Sequence, residues 1–154
     1  MTSFILNPRL VTATYPVCDL PLCRVLLIND HRYPWILMVP RRDDLREIVD
    51  LDAGDRAVFI EELATVSTVM RNGFNAHGLN VADIGNKAPQ LHVHVVVRQT
   101  DDPAWPSVVW SQAMEPYADR QAAEKVRTVI IQGLSGHAGF RQLDTHTDPG
   151  VDRL

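Results

Sequence analysis

The sequence predicts an α+β fold, with one antiparallel sheet of about five strands covered by a long helix and a C-terminal helix. Three observations predict it. Residues 22–28 and 35–39 are short apolar runs separated by a turn, the pattern of a hairpin. Phe59, Leu63, Val66, Met70 and Phe74 recur at helical spacing and form one apolar stripe that would lie on a sheet. Residues 90–98 alternate polar and aliphatic side chains with the period of two of an extended chain.

Taken in order, residues 7–21 hold Pro8, Pro16 and Pro21 among mixed polar residues and read as an irregular lead-in with one helical turn. The hairpin follows, with Asn29 at its bend and Pro40 closing its second strand. Asp52 is a side-chain acceptor at a helix N-cap, and Asp55 places a carboxylate in the first turn, where free N–H groups favour it. The long helix should end at residues 75–78. Residues 79–84 and 90–98 are strands joined by the short loop 85–89, and residues 105–110 read as a short edge strand. Pro116 suits a first helical position, and Ala122, Val126, Val129 and Ile130 stripe a helix over about residues 116–133. From Ser135 the composition turns polar and the tail is expected to be loose.

The 154 residues suffice for one domain, 1–154, with its core at about residues 20–110. An apolar fraction of 45%, a charged fraction of 22% and a formal net charge of -4 describe an ordinary globular chain and argue against broad electrostatic binding of nucleic acid. The cluster Arg41, Arg42 and Arg46 reads as a solvated face. Cys18 and Cys23 have neither a zinc-site spacing nor a disulfide framework around them, which fits reduced thiols in a cytoplasm. No basic flank precedes an apolar core at the N-terminus, and no apolar run reaches the length of a membrane span, so neither secretion nor a membrane partner is expected. Glycine-rich phosphate loops of the dinucleotide-fold and P-loop types are absent.

The alternating segment carries the chemistry. Gln90, His92, His94 and Arg98 point one way; Leu91, Val93, Val95 and Val97 point the other. A lone histidine on a strand is usually a satisfied structural residue. Four polar groups sharing one face need partners, and two imidazoles at i and i+2 reach one small anion or one metal ion. A neutral imidazole attacks phosphorus directly and forms a covalent intermediate that water later cleaves. A second imidazole supplies a donor to the phosphate oxygens, whereas Gln90 donates from an amide and carries no charge.

Gln90-x-His92-x-His94, the Arg98 that follows, the hairpin with Asn29 at its bend and the long helix between them resemble the histidine triad (HIT) superfamily of nucleotide hydrolases and transferases, over roughly residues 20–110. The family motif is His-x-His-x-His, so Gln90 departs from it at the first position. The resemblance implies that His92 is the nucleophile at the α-phosphate and that His94 contacts the phosphate and the leaving group. Asn29 matches the region that binds ribose hydroxyls, Asn86 lies in the loop that offers a phosphate contact, and Gln90 and Arg98 complete the substrate-binding set. With residues 102–106 (Asp-Pro-Ala-Trp-Pro), the pattern resembles a bacterial branch described as diadenosine-polyphosphate-hydrolase-like. Purine nucleotides, dinucleoside polyphosphates or nucleoside phosphoramidates are the implied substrates, without a cofactor or metal. A homodimer with sheets joined edge to edge is implied as well.

Two other readings share these residues. One is a nucleotide-binding module whose catalysis is weak or lost because Gln90 replaces a histidine. The other takes His92 and His94 as metal ligands and needs a third ligand from elsewhere in the chain. Trp105 reads as a packed turn or a dimer contact before a pocket wall, and His31 as an exposed turn residue. His77, His137 and His146 are assigned no role.

Overall fold

A computed structural model describes residues 4–145. The elements are α1 (Pro8–Ala13), β1 (Thr14–Asp19), β2 (Cys23–Ile28), β3 (Trp35–Pro40), α2 (Ala53–Gly73), β4 (Gly78–Asp83), β5 (Val93–Arg98), α3 (Arg120–Leu134) and β6 (Arg141–Gln142), with a 3-10 turn at Ile48–Asp50. The strands form one antiparallel sheet of six in the order β4-β5-β3-β2-β1-β6. The α+β class is as expected, and the strand count is six rather than about five.

Both additional strands come from segments that composition disguised. The lead-in contains α1, capped by the Asn7 side chain, which accepts from Arg9 N. It then runs into β1, whose Pro16 lacks an N–H. The register of β1 on β2 shifts between Pro16 and Cys18, so the proline sits at an irregularity that tolerates its missing donor, and its carbonyl accepts separately from Arg127 Nε at 2.6 Å. The polar tail returns as β6 beside Cys18 and Asp19, and Arg141 pairs with Asp19. His146 and the rest of the tail lie outside the described residues.

Residues 105–110 are not a strand. Pro103 and Pro106 interrupt the segment, and it folds into successive turns, with Trp105 N donating to the Asp102 carbonyl and Ser107 N to that of Ala104. Pro116 precedes the last helix rather than opening it; Asp119 is the cap and accepts from Ala122 N at 2.8 Å. The buried line of α3 is Ala123, Arg127, Ile130 and Leu134, so of the expected stripe only Ile130 is fully buried.

Helix α2 begins as expected, with Asp52 accepting from Asp55 N. Phe59, Val66 and Met70 are buried in it, and so is Glu62, whose carboxylate accepts from Leu22 N and Cys23 N at 2.7 and 2.8 Å. Those two donors belong to the turn entering β2, so the buried carboxylate ties the helix to the sheet. Burial, assisted by Asp19, pushes the Cys18 thiol up to about 12, and burial with Glu62 raises Cys23 well above its ordinary range. Both cysteines are free and protonated.

Helices α2 and α3 approach closely through glycines. A Cβ on Gly73 would lie 2.9 Å from Val129 Cγ1, and one on Gly133 would overlap the Val69 side chain. Valine is stiff about χ1, so the helices would have to separate. Gly133→Ala is therefore expected to destabilise the protein by about 1–3 kcal/mol, read as a lower urea midpoint; an unchanged midpoint would show that the crossing is loose.

Both faces of the sheet are covered. Val93, Val95 and Val97 pack toward α2 and α3, as the alternation predicts. The opposite face, expected to be free to react, is covered by a second cluster in which Phe4, Leu6 and Leu10 from the N-terminal segment and Ala104 and Val109 from the turns meet Trp35, Leu37 and Val96. His92 and His94 stand on that face and are themselves only 5% and 7% exposed.

Candidate active site

Strand β5 is central, between β3 and β4, and His94 lies opposite Leu37 on one side and Ala82 on the other. It is 7% exposed. The strand begins at Val93, not at Gln90, so His92 stands just ahead of it, buried and with its ring centroid 5.2 Å from that of His94. The two imidazoles are brought together as expected.

Their partners assign the protons. His92 Nδ1 is 2.6 Å from the Gln90 carbonyl oxygen. A carbonyl only accepts, so Nδ1 carries the hydrogen and Nε2 carries the free lone pair. For His94 the order is reversed. The Trp35 indole Nε1–H, which only donates, lies 3.0 Å from His94 Nδ1. His94 therefore holds its hydrogen on Nε2, which is buried and has no hydrogen-bond partner. Trp35 and Trp110 flank this ring, each 5.6 Å from it between centroids, and Trp110 Nε1 is a second buried donor without a partner. Neither tryptophan was singled out by the motif, because no sequence spacing connects them to it.

Burial and then the neighbouring His92 lower the His94 pKa from 6.5 to about 4, against a smaller opposing effect of the Ile84 carbonyl. An unfolded imidazole binds a proton below 6.5 and the folded one does not until about 4. Stability is therefore whole above 6.5 and falls as pH drops through that window, by about 3 kcal/mol at its lower end. Denaturant titrations at pH 7 and pH 4.5 should show most of this loss in the native protein and little of it in His94→Gln.

Gln90 lies beside His92, but its side chain faces the N-terminal segment. Its Oε1 accepts from Asn7 N at 2.8 Å and its Nε2 donates to the Ile5 carbonyl at 3.0 Å. Arg98 is 2% exposed and is not at the imidazoles. It forms a two-pronged pair with Asp102 (2.7 and 3.0 Å) and donates to Asn80 Oδ1 and the Ser107 carbonyl. Asn29 directly follows β2, and its Oδ1 accepts from Tyr117 N. Asn86 is exposed on loop 85–89.

Trp105 is 38% exposed, stacked edge to face on His77 with the Arg98 guanidinium over its ring. His31 is exposed, 3.3 Å from Glu115. A groove of about 700 Å³ is lined by residues that include Ile5, Asn7, Asp43, Asp44, Arg46 and Gln90, and neither His92 nor His94 lines it. Among the described residues, no group of three or more His, Cys, Asp or Glu is arranged to hold a metal ion. No helix among them is long and apolar enough to cross a membrane.

Two imidazoles brought together at the start of the central strand of a helix-covered antiparallel sheet define an α+β protein of the histidine triad type. Residues 11–101 match the HIT domain family, and the chain belongs to that family. It is similar to a histidine triad protein of Bradyrhizobium japonicum (40% identity, TM-score 0.81, covering 86% of this chain and 98% of that one). A histidine triad protein of Marinobacter aquaeolei VT8 (36%, 0.84, 89% and 100%) and one of Sinorhizobium meliloti 1021 (34%, 0.82, 85% and 97%) are similar as well. A comparison with curated proteins found no match. The family consists generally of nucleotide-binding hydrolases and transferases.

Proposed function

We propose that this protein is a nucleotide hydrolase or nucleotidyl transferase that works through a nucleotidyl-His92 intermediate. The observation that carries the reading is the 2.6 Å contact between His92 Nδ1 and the Gln90 carbonyl, which turns the Nε2 lone pair into the available nucleophile. His94 Nε2–H is the donor to a non-bridging oxygen of the α-phosphate, and the exposed amide of Asn86 is a second. The Asn29 Oδ1 is engaged, so its NH₂ is the group offered to a ribose hydroxyl. Gln90 acts through its main-chain carbonyl, and Arg98 through the turns it holds rather than on phosphate.

The substrate is a purine nucleotide derivative, in keeping with the resemblance to the diadenosine-polyphosphate-hydrolase-like branch. The protein works as a cytoplasmic homodimer, for which β4 offers a physical reason: it is an unpaired sheet edge carrying Val81, 47% exposed. Mass spectrometry of protein quenched during turnover of diadenosine polyphosphate tests the mechanism. A nucleotidyl group on the His92 peptide is expected; turnover with no adduct, also absent under rapid quench, would replace covalent catalysis by direct attack of water.

A second reading, a nucleotide-binding module, is favoured by one observation: the Gln90 side chain is wholly engaged by the N-terminal segment and contributes nothing to proton transfer. Nucleotide binding by calorimetry with no product over long incubation would establish it.

A further inference from the structure

We infer that the leaving group of this site departs as an unprotonated anion, so that the substrates it takes are phosphoric anhydrides rather than phosphoramidates or alkyl esters. The inference rests on the nucleotidyl-His92 reading and names its substrate class. It follows from where the hydrogens sit and from which groups surround them.

His94 stands beside the nucleophile and is the side chain best placed to serve as general acid. Its one basic nitrogen, Nδ1, is occupied by the Trp35 indole hydrogen, and its ring is enclosed by Trp35 and Trp110. An imidazole held this way keeps a single hydrogen, on Nε2. It donates that hydrogen in a bond to oxygen, but surrendering it would leave an imidazolate, far too basic to form near neutrality. His92 keeps its Nδ1 hydrogen on the Gln90 carbonyl, which accepts a hydrogen bond and not a proton. The Gln90 amide is not an acid, and both of its ends are engaged. The Ile84 carbonyl beside His94 only accepts, and among the described residues the other side-chain partners of the two imidazoles are each other and the indoles of Trp35 and Trp110.

The step then balances in one way. The His92 Nε2 pair forms the P–N bond, the bond from phosphorus to the leaving atom breaks, and its pair stays on that atom. A departing phosphate or nucleotide oxygen carries the charge as a stable anion. An amine or alkoxide leaving group would need a proton that none of the described residues around the two imidazoles supplies. In the second step water attacks phosphorus, its proton passes to solvent, and the P–N pair returns to His92. Trp35 is thus a positioning residue: it acts on the substrate only through the tautomer of His94.

A leaving-group series tests this, using diadenosine tri- and tetraphosphate, aryl esters of AMP with graded phenols, and an AMP alkylamidate. General acids contribute about 10²–10⁴-fold, so wild-type kcat/KM for the alkylamidate should fall at least about 10²-fold below the anhydrides, with a steep dependence across the aryl esters. Comparable rates for amidate and anhydride would overturn the inference and leave the nucleotidyl-His92 reading standing. Trp35→Phe keeps the ring and removes the N–H, which frees His94 Nδ1 to take a proton; the amidate-to-anhydride ratio should rise about tenfold or more. An unchanged ratio in folded variant would remove Trp35 from the argument.

Nitrogen-15 spectra of histidine-labelled wild type give a readout independent of turnover. His94 should show its hydrogen on Nε2 and no second hydrogen at neutral pH; a hydrogen on Nδ1 overturns the inference. If no compound in the series is turned over, the hydrolase reading fails, and the leaving-group rule with it, while the spectrum still judges the tautomer.

Discussion

Replacing His92 with alanine is expected to lower kcat for nucleotide release by about 10⁴-fold or more while the fold survives, because a residue that forms a covalent bond to phosphorus has no substitute within the pair. His94 cannot take its place: its Nδ1 is occupied by Trp35 and its Nε2 bears a hydrogen, so neither nitrogen offers a lone pair to substrate. The structural loss is one hydrogen bond to the Gln90 carbonyl and partial ring packing on His94, about 1 kcal/mol. Nucleotide affinity by calorimetry should change little. Retained turnover in a folded His92→Ala protein would sink the nucleophile assignment.

The second large effect falls on stability. Arg98→Met should cost about 3–5 kcal/mol, since it leaves the Asp102 carboxylate, 5% exposed, in a buried setting without its cation. Burial works to raise the Asp102 pKa, and the Arg98 guanidinium with the Gln99 and Ala104 N–H groups overrides it, holding the carboxyl below its ordinary 3.8. A carboxyl depressed on folding contributes fully above its unfolded pKa and loses that contribution as pH falls through the folded one. The difference in stability between wild type and Arg98→Met should therefore be largest near neutrality and shrink as the pH falls through the carboxyl range. Urea melts at a series of pH values measure it. Since Arg98 also holds the Ser107 carbonyl, the turns that bring Trp110 to His94 loosen in the variant, and kcat should fall with stability. A variant as stable as wild type would mean that Asp102 finds water or another donor.

The parts of the fold legible in the sequence are those with a strong period. The α2 stripe, the β2–β3 hairpin and the valines of β5 were readable because each face of an element meets one environment. Strand β1 was not, because Pro16 reads as a breaker, and the register shift beside it that tolerates a residue without an N–H has no signature in the sequence. The turns at residues 105–110 read as a strand because Trp105, Val108, Val109 and Trp110 are apolar enough for one, while the arginine that shapes them sits earlier in the chain. At the site, the pairing of His92 with His94 follows from period two alone. The fate of Arg98 does not, since alternation puts it on the same face as the histidines but says nothing of Asn80 or Asp102. The His94 tautomer was beyond reach for the same reason: it depends on Trp35, a neighbour across the sheet and distant in sequence.

The double grip of the Gln90 side chain on Ile5 and Asn7 gives position 90 a role in anchoring as well as in adjacency to the nucleophile. An extended amide spans an N–H and a carbonyl two residues apart, as the backbone of a neighbouring strand would. A neutral imidazole has one donor and one acceptor on a short rigid ring and does not match that span. Restoring histidine at this position would release the segment that carries Phe4 and Leu6 onto the sheet before it altered any step at phosphorus. Conversion to the three-histidine motif in this protein is thus a change of architecture as well as of chemistry, because the grip on Ile5 and Asn7 goes with the amide.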